Sequence, residues 1–220
     1  MDLIKEILFI SKEDAELEAA KVLSMSPFFY SRSGEDVSLG TEPSVRFSTL
    51  GASSYLDSPK DYVDNAEATN LLIEEAFPEL MSAVKDVLGF VLDKEITDLF
   101  GAGRIGFHIF DDRANGQEAQ WHIDMPFQNE GIVWEEPPTK PFSFTVPLRL
   151  PRGVGGLDFK EHEQGESRYL PYTEGNLYLS DGLFPHRIAN PIQIREGEHR
   201  VTLQGHGVFS SVSDKAFVYF

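Results

Sequence analysis

The chain has 220 residues, 41% hydrophobic and 25% charged, enough for one well-filled core under an ordinary surface. It contains no cysteine, which excludes disulfides, thiolate catalysis and zinc–cysteine sites. Its formal net charge of −17 repels phosphate backbones and argues against a nucleic-acid partner, and no apolar run approaches the roughly 20 residues that span a bilayer.

The opening "MDLIKEILFISKEDAELEAA" has too short an apolar stretch and too many acids for a signal peptide, so a cytoplasmic location is expected. The first hundred residues read as mostly helical. Ser11 followed by Asp14 resembles an N-terminal cap leading into "AELEAAKVL". Residues 34–59 are rich in Ser, Gly and Pro and read as loop, with short extended pieces such as "SVRFSTL". Over residues 66–91 apolar side chains recur at helical spacing, and Pro78 marks either a kink or the first turn of a second helix.

After Gly101 the texture changes to short alternating or apolar runs divided by Gly, Pro and Asn: "RIGFHIF", "QWHIDMPF", "FSFTVPLRL", "GLDFK", "NLYLSDG", "HRVTLQGHGVF" and "AFVYF". Strands at this spacing predict a sandwich or jelly roll. The expected architecture is α+β with a mainly β core. One domain covers residues 1–220, with 1–100 a mostly helical support packed on one sheet and 101–220 a barrel-like core.

His122 and Asp124, in "QWHIDMP", fall on one face of an extended strand because side chains alternate with a period of two. Alone, that pair is a weak signal. A double-sheet barrel can add His186, in the Gly/Pro-bounded "DGLFPHRIANP", at its open mouth. Two histidines and a carboxylate can occupy one face of an octahedral ferrous ion and leave three positions open. Zinc accepts the same ligands, although the H-E-x-x-H signature is absent. Arg200, in the strand pattern "GEHRVTLQG", shares a face with Thr202. A guanidinium inside a barrel needs an anion: either an internal acid or a dicarboxylate co-substrate whose far end it would grip while Thr202 donates a hydroxyl. The arginine tips the balance from zinc toward iron.

The order His122-x-Asp124, His186, Arg200-x-Thr202 resembles that of the Fe(II)/2-oxoglutarate-dependent dioxygenase superfamily. "GGLDFK", "EGNLYLSDGLFPHRI" and "GEHRVTLQG" are similar to segments that its members carry, and the resemblance covers about residues 101–210. It implies a double-stranded β-helix of jelly-roll or cupin-like form binding ferrous iron, 2-oxoglutarate and dioxygen. His122, Asp124 and His186 would be the metal ligands and catalytic centre, and Arg200 with Thr202 the anchor for the distal carboxylate. Thr145, in "FSFTVPLRL", could reach the same carboxylate, as a strand threonine does in some members. An Asp at position 124, where halogenating members have Gly or Ala, favours hydroxylation or desaturation.

Four further residues are candidates for substrate contact. Arg104 and His108 share a face with Gly106 by alternation, and Trp134 and Glu135 lie in the polar stretch 128–141 that reads as a loop over the mouth. His206 is expected on the Arg200 face, and His162 and His199 in solvent. The Tyr- and Ser-rich segment 47–62 is similar to small stand-alone oxygenases acting on free amino acids or natural-product intermediates. The expected function is oxidation of an unactivated C–H bond in such a small soluble substrate. A non-catalytic cupin-like metal or ligand module and a protein side-chain hydroxylase are the alternatives.

Overall fold

The structure, a computed structural model, describes residues 3–32, 45–124, 129–152, 155–189 and 192–220. Helix α1 (Lys12–Ser24) starts where expected: the Ser11 hydroxyl accepts the Asp14 N–H at 3.1 Å. Ser58 caps α2 (Pro59–Ala76) in the same way, with Pro59 in the first turn. Pro78 opens α3 (Pro78–Leu92) rather than kinking a single helix, and the left-handed Asp93 ends it. Among the described residues no helix is long and apolar enough to cross a membrane.

Among the described residues twelve strands accompany these helices. The first hundred residues, expected to be mostly helical, also contribute β1 (Ile4–Leu8), β2 (Tyr30–Arg32), β3 (Phe47–Leu50) and β4 (Glu95–Asp98). Then come β5 (Gly106–Phe110), β6 (Pro138–Arg149), β7 (Gly156–Phe159), β8 (Arg168–Pro171), β9 (Asn176–Ser180), β10 (His186–Ile188), β11 (Arg200–Ser210) and β12 (Lys215–Tyr219). Strand β6 starts at Pro138, so the end of the expected mouth loop is already sheet.

A large sheet runs β1-β9-β6-β11-β5-β3-β2, with β12 and β4 joined at β11, and a small sheet runs β10-β7-β8. All pairings are antiparallel except β12 with β4.

Strand β11 is the hinge of the architecture because its two faces do different work. Val201 and Leu203 point into a core with Ala15, Ala19 and Val22 of α1 and Leu80, Val84 and Leu88 of α3. Gly205 and Gly207 follow on that face, opposite Phe144 and Phe142 of β6, whose rings lie where side chains would otherwise stand. Arg200, Thr202, Gln204 and His206 point the other way. A Cβ at Gly205 would sit 2.5 Å from the Phe144 ring. Gly205→Ala is therefore expected to destabilise the protein by about 1–3 kcal/mol through overpacking, read as a lowered melting temperature. An unchanged melt would refute this packing.

Candidate metal and co-substrate site

His122 and His186 are locked to each other through the backbone. The His122 N–H donates to the His186 carbonyl at 3.0 Å and the His186 N–H to the His122 carbonyl at 2.9 Å, which adds the His122 segment to the β10 edge of the small sheet. Two residues on, the Asp124 N–H donates to the Gly182 carbonyl at 3.0 Å. The spacing of two brings the Asp124 side chain to the same side as His122.

One ligand atom from each of His122, Asp124 and His186 lies within 4.8 Å of the others. Asp124 Oδ1 is 3.4 Å from His186 Nε2 and 3.9 Å from His122 Nε2. A first-row ion about 2.0–2.2 Å from each donor places neighbouring donors about 3 Å apart, so slight closure of this cluster suffices.

Each histidine offers Nε2 because Nδ1 is engaged, with Gln120 O at 3.0 Å for His122 and with Phe184 O at 2.9 Å for His186. A carbonyl can only accept, so Nδ1 carries the hydrogen and the Nε2 lone pair faces the centre. Burial opposes ionisation of Asp124, but His186, His206 and His122 outweigh it and hold the carboxyl well below its usual range. In His186 the Asp124 carboxylate overcomes burial and raises the imidazole. The side chain of His122 is 53% exposed and that of His186 11%, so the centre opens on the His122 side.

Gly182, with φ of +70°, makes this approach possible. A Cβ there would stand 2.7 Å from Ser143 Oγ and 3.0 Å from Asp124 Cβ. Ser143 in turn hydrogen-bonds His206 Nδ1 at 2.9 Å, and that nitrogen is 4.0 Å from Asp124 Oδ2. His206 thus lies on the Arg200 face, beside the cluster.

Arg200 is buried, and no acid pairs with it among the described residues; its Nε and the Thr202 hydroxyl both lack partners. Its guanidinium lies 5.3 Å from the Phe110 ring centroid. Burial pushes the Tyr172 phenol up to about 12, opposed by the Arg200 charge and a hydrogen bond to Thr145. His108 is held well below its usual value by burial, with Arg200, His206 and Arg32 adding to it. Both Tyr172 and His108 feel the charges of the Arg200 guanidinium and the Asp124 carboxylate.

Of the substrate candidates, His108 faces this interior, opposite Thr202, and hydrogen-bonds the Tyr55 hydroxyl. Arg104 is not brought to it: β5 begins at Gly106, alternation does not extend back, and Arg104 Nε pairs with Glu74 at 2.5 Å. Trp134 packs edge-on to Tyr219 at 5.7 Å in an apolar cluster. The Glu135 carboxylate accepts the Phe100 N–H at 2.9 Å. His162 is exposed and His199 half-buried. Residues 125–128 lie outside the described residues. Tyr172 escaped sequence reasoning because it lies beyond a short strand with no pattern of its own; Tyr55 was legible only as part of the Tyr- and Ser-rich segment.

No protein-family model and no curated protein sequence matches the chain. Solved structures do match it. An N-substituted L-amino acid dioxygenase from Burkholderia ambifaria AMMD is 9% identical with a TM-score of 0.58, over 99% of this chain and 86% of that one. SnoN, the non-heme alpha-ketoglutarate-dependent epimerase of nogalamycin biosynthesis, is 11% identical with a TM-score of 0.55, over 96% and 83%. AviO1 from Streptomyces viridochromogenes Tue57 is 13% identical with a TM-score of 0.54, over 96% and 91%. These likenesses are of fold, and at that level they bear out the resemblance to the Fe(II)/2-oxoglutarate-dependent dioxygenase superfamily.

One of the two tryptophans, Trp121, adjoins His122 and reports on the centre. Ferrous or cobaltous ion is expected to quench fluorescence with one equivalent bound. Asp124→Ala and His186→Ala should each weaken binding by more than about 100-fold, the upper range for losing a group that only supports a ligand. Equal affinity in either variant would remove that residue from the centre.

Proposed function

We propose that the protein is an Fe(II)- and 2-oxoglutarate-dependent oxygenase on a double-stranded β-helix, which hydroxylates or desaturates an unactivated C–H bond of a small soluble molecule, a free amino acid or natural-product intermediate. The observation that carries this reading is the buried Arg200, without an acid partner among the described residues, on the face that also holds Thr202, His206 and, through His206, Asp124. An isolated buried cation costs several kcal/mol, and a carboxylate brought by a co-substrate removes that cost.

His122, Asp124 and His186 would hold the ferrous ion, with the Nδ1 bonds keeping both imidazoles in the ligating tautomer. Arg200 and Thr202, each with a buried donor that has no partner among the described residues, would grip the distal carboxylate of 2-oxoglutarate, with Thr145 and the Tyr172 phenol beside them. When bound, iron and co-substrate supply the oxidising chemistry: the keto acid loses carbon dioxide and becomes succinate, one atom of dioxygen entering it and the other serving the substrate. The protein's own share is to orient the keto acid between its two anchors and to keep bulk water away from buried His108, Thr202 and Arg200.

With ferrous iron, 2-oxoglutarate and ascorbate the protein is expected to form succinate slowly even without substrate. Arg200→Lys keeps the charge but loses the fork. At about 1.5–3 kcal/mol for a charge-assisted hydrogen bond, its KM for 2-oxoglutarate should rise roughly ten- to a hundredfold. Absence of succinate from the parent protein would overturn the proposal.

A further inference from the structure

Arg32 is the second buried arginine of the described residues, at 8% exposure beside 5% for Arg200, in a chain whose net charge is −17. The sheet register sets the two on one face. Arg32 stands opposite Phe47, Phe47 stacks on Phe110 with centroids 4.9 Å apart, and Phe110 stands opposite Arg200. In the neighbouring row Tyr30, Thr49, His108 and Thr202 face the same way. β2 and β11 are separated by two strands, so the arginines lie about 14 Å apart at Cα. That spacing gives each guanidinium surroundings of its own.

Those surroundings leave Arg32 incompletely used. Its Nε donates to Thr49 Oγ1 at 3.1 Å and its Nη1 to Asp57 Oδ1 at 2.5 Å. The other Asp57 oxygen is taken by the Ser53 N–H at 2.7 Å, so the carboxylate grips the guanidinium at one point only. Nη2 is buried and has no partner among the described residues. The chain of contacts from Arg32 leads to the candidate metal cluster: its partner Asp57 closes the turn that carries Tyr55, Tyr55 hydrogen-bonds His108 and packs edge-on to His206, and His206 Nδ1 is 4.0 Å from Asp124 Oδ2. Two more buried polar atoms have no partner among the described residues: His206 Nε2, whose ring centroid is 5.4 Å from that of Tyr55, and the Tyr219 hydroxyl, whose ring centroid is 6.3 Å from that of His206.

We propose that Arg32, through its free Nη2, anchors the carboxylate of the substrate, so that this protein oxidises a small carboxylic acid held by one arginine while Arg200 holds the co-substrate. The inference rests on the oxygenase reading above. A singly charged carboxylate suits the site better than a phosphate, because Asp57 already offsets one unit of charge. His206 Nε2 and the Tyr219 hydroxyl are left to meet the polar groups nearer the reacting carbon.

The test sets free L-amino acids and aliphatic and aryl carboxylates against their own carboxamides. Binding is read by calorimetry without co-substrate, and stimulated succinate release with it. At least one acid is expected to bind and to stimulate, with its amide tenfold or more weaker. Arg32→Lys keeps a cation for Asp57 but removes the second Nη donor, and should weaken that acid at least tenfold in protein whose circular dichroism melt shows it folded. Arg200→Lys should instead act on 2-oxoglutarate. Three results overturn the proposal: acids and amides binding alike, no acid binding although succinate still forms, or folded Arg32→Lys binding the acid as the parent does. Should 2-oxoglutarate be neither bound nor consumed, the oxygenase reading fails, and the calorimetric comparison still decides whether Arg32 holds acids.

Discussion

A cation placed inside a β-sheet protein must find a counter-charge, and that requirement shapes the interior of this molecule. Arg200 sits on a strand whose opposite face is pinned by α1 and α3, so it cannot turn outward without tearing Val201 and Leu203 from the main core. Phe110 covers the guanidinium on one side but brings no charge. Nothing on the chain neutralises it among the described residues. Such an unfavourable term is one that an anionic ligand would relieve, as in a site preorganised for binding rather than for stability.

The His122, Asp124 and His186 cluster follows a different physical logic. Its two imidazoles are tied at the backbone by a reciprocal pair of hydrogen bonds, and their Nδ1 atoms by the carbonyls of Gln120 and Phe184. Each carbonyl lies two residues before the ring it holds, so local chain geometry alone fixes each ring. Long-range pairing is needed only to bring the His122 and His186 segments together. Asp124 then completes the cluster from the same segment as His122. Contact between remote parts of the chain is therefore concentrated in one short ladder step.

The grouping of the candidate residues was legible in the sequence because it rests on period-two alternation and on residue type. Arg200, Thr202 and His206 share a face of β11 as alternation requires, and His108 meets them across the strand pair. Much of the support was not legible. Strands β1 to β4 have three to five residues each, too few alternations to distinguish from loop. Arg104 was misplaced because alternation was extended past the start of β5. Trp134 and Glu135 have the residue types of a binding surface, but a nearby apolar cluster and an unpaired N–H claimed them first. Tyr172 and Arg32 reach the interior only through strand order, which no local pattern encodes.

The bare backbone at Gly182 has a consequence for how such a protein can diversify. Ser143 and Asp124 crowd that position from two sides, and Ser143 is also the hydroxyl that steadies His206. Any methyl group introduced there would press on the carboxylate and on the histidine's support at once. Changes of ligand preference are thus channelled toward the outer rim formed by β2, β3 and the turn that carries Tyr55 and Asp57. Position 182 itself tolerates no side chain without displacing Ser143 or Asp124.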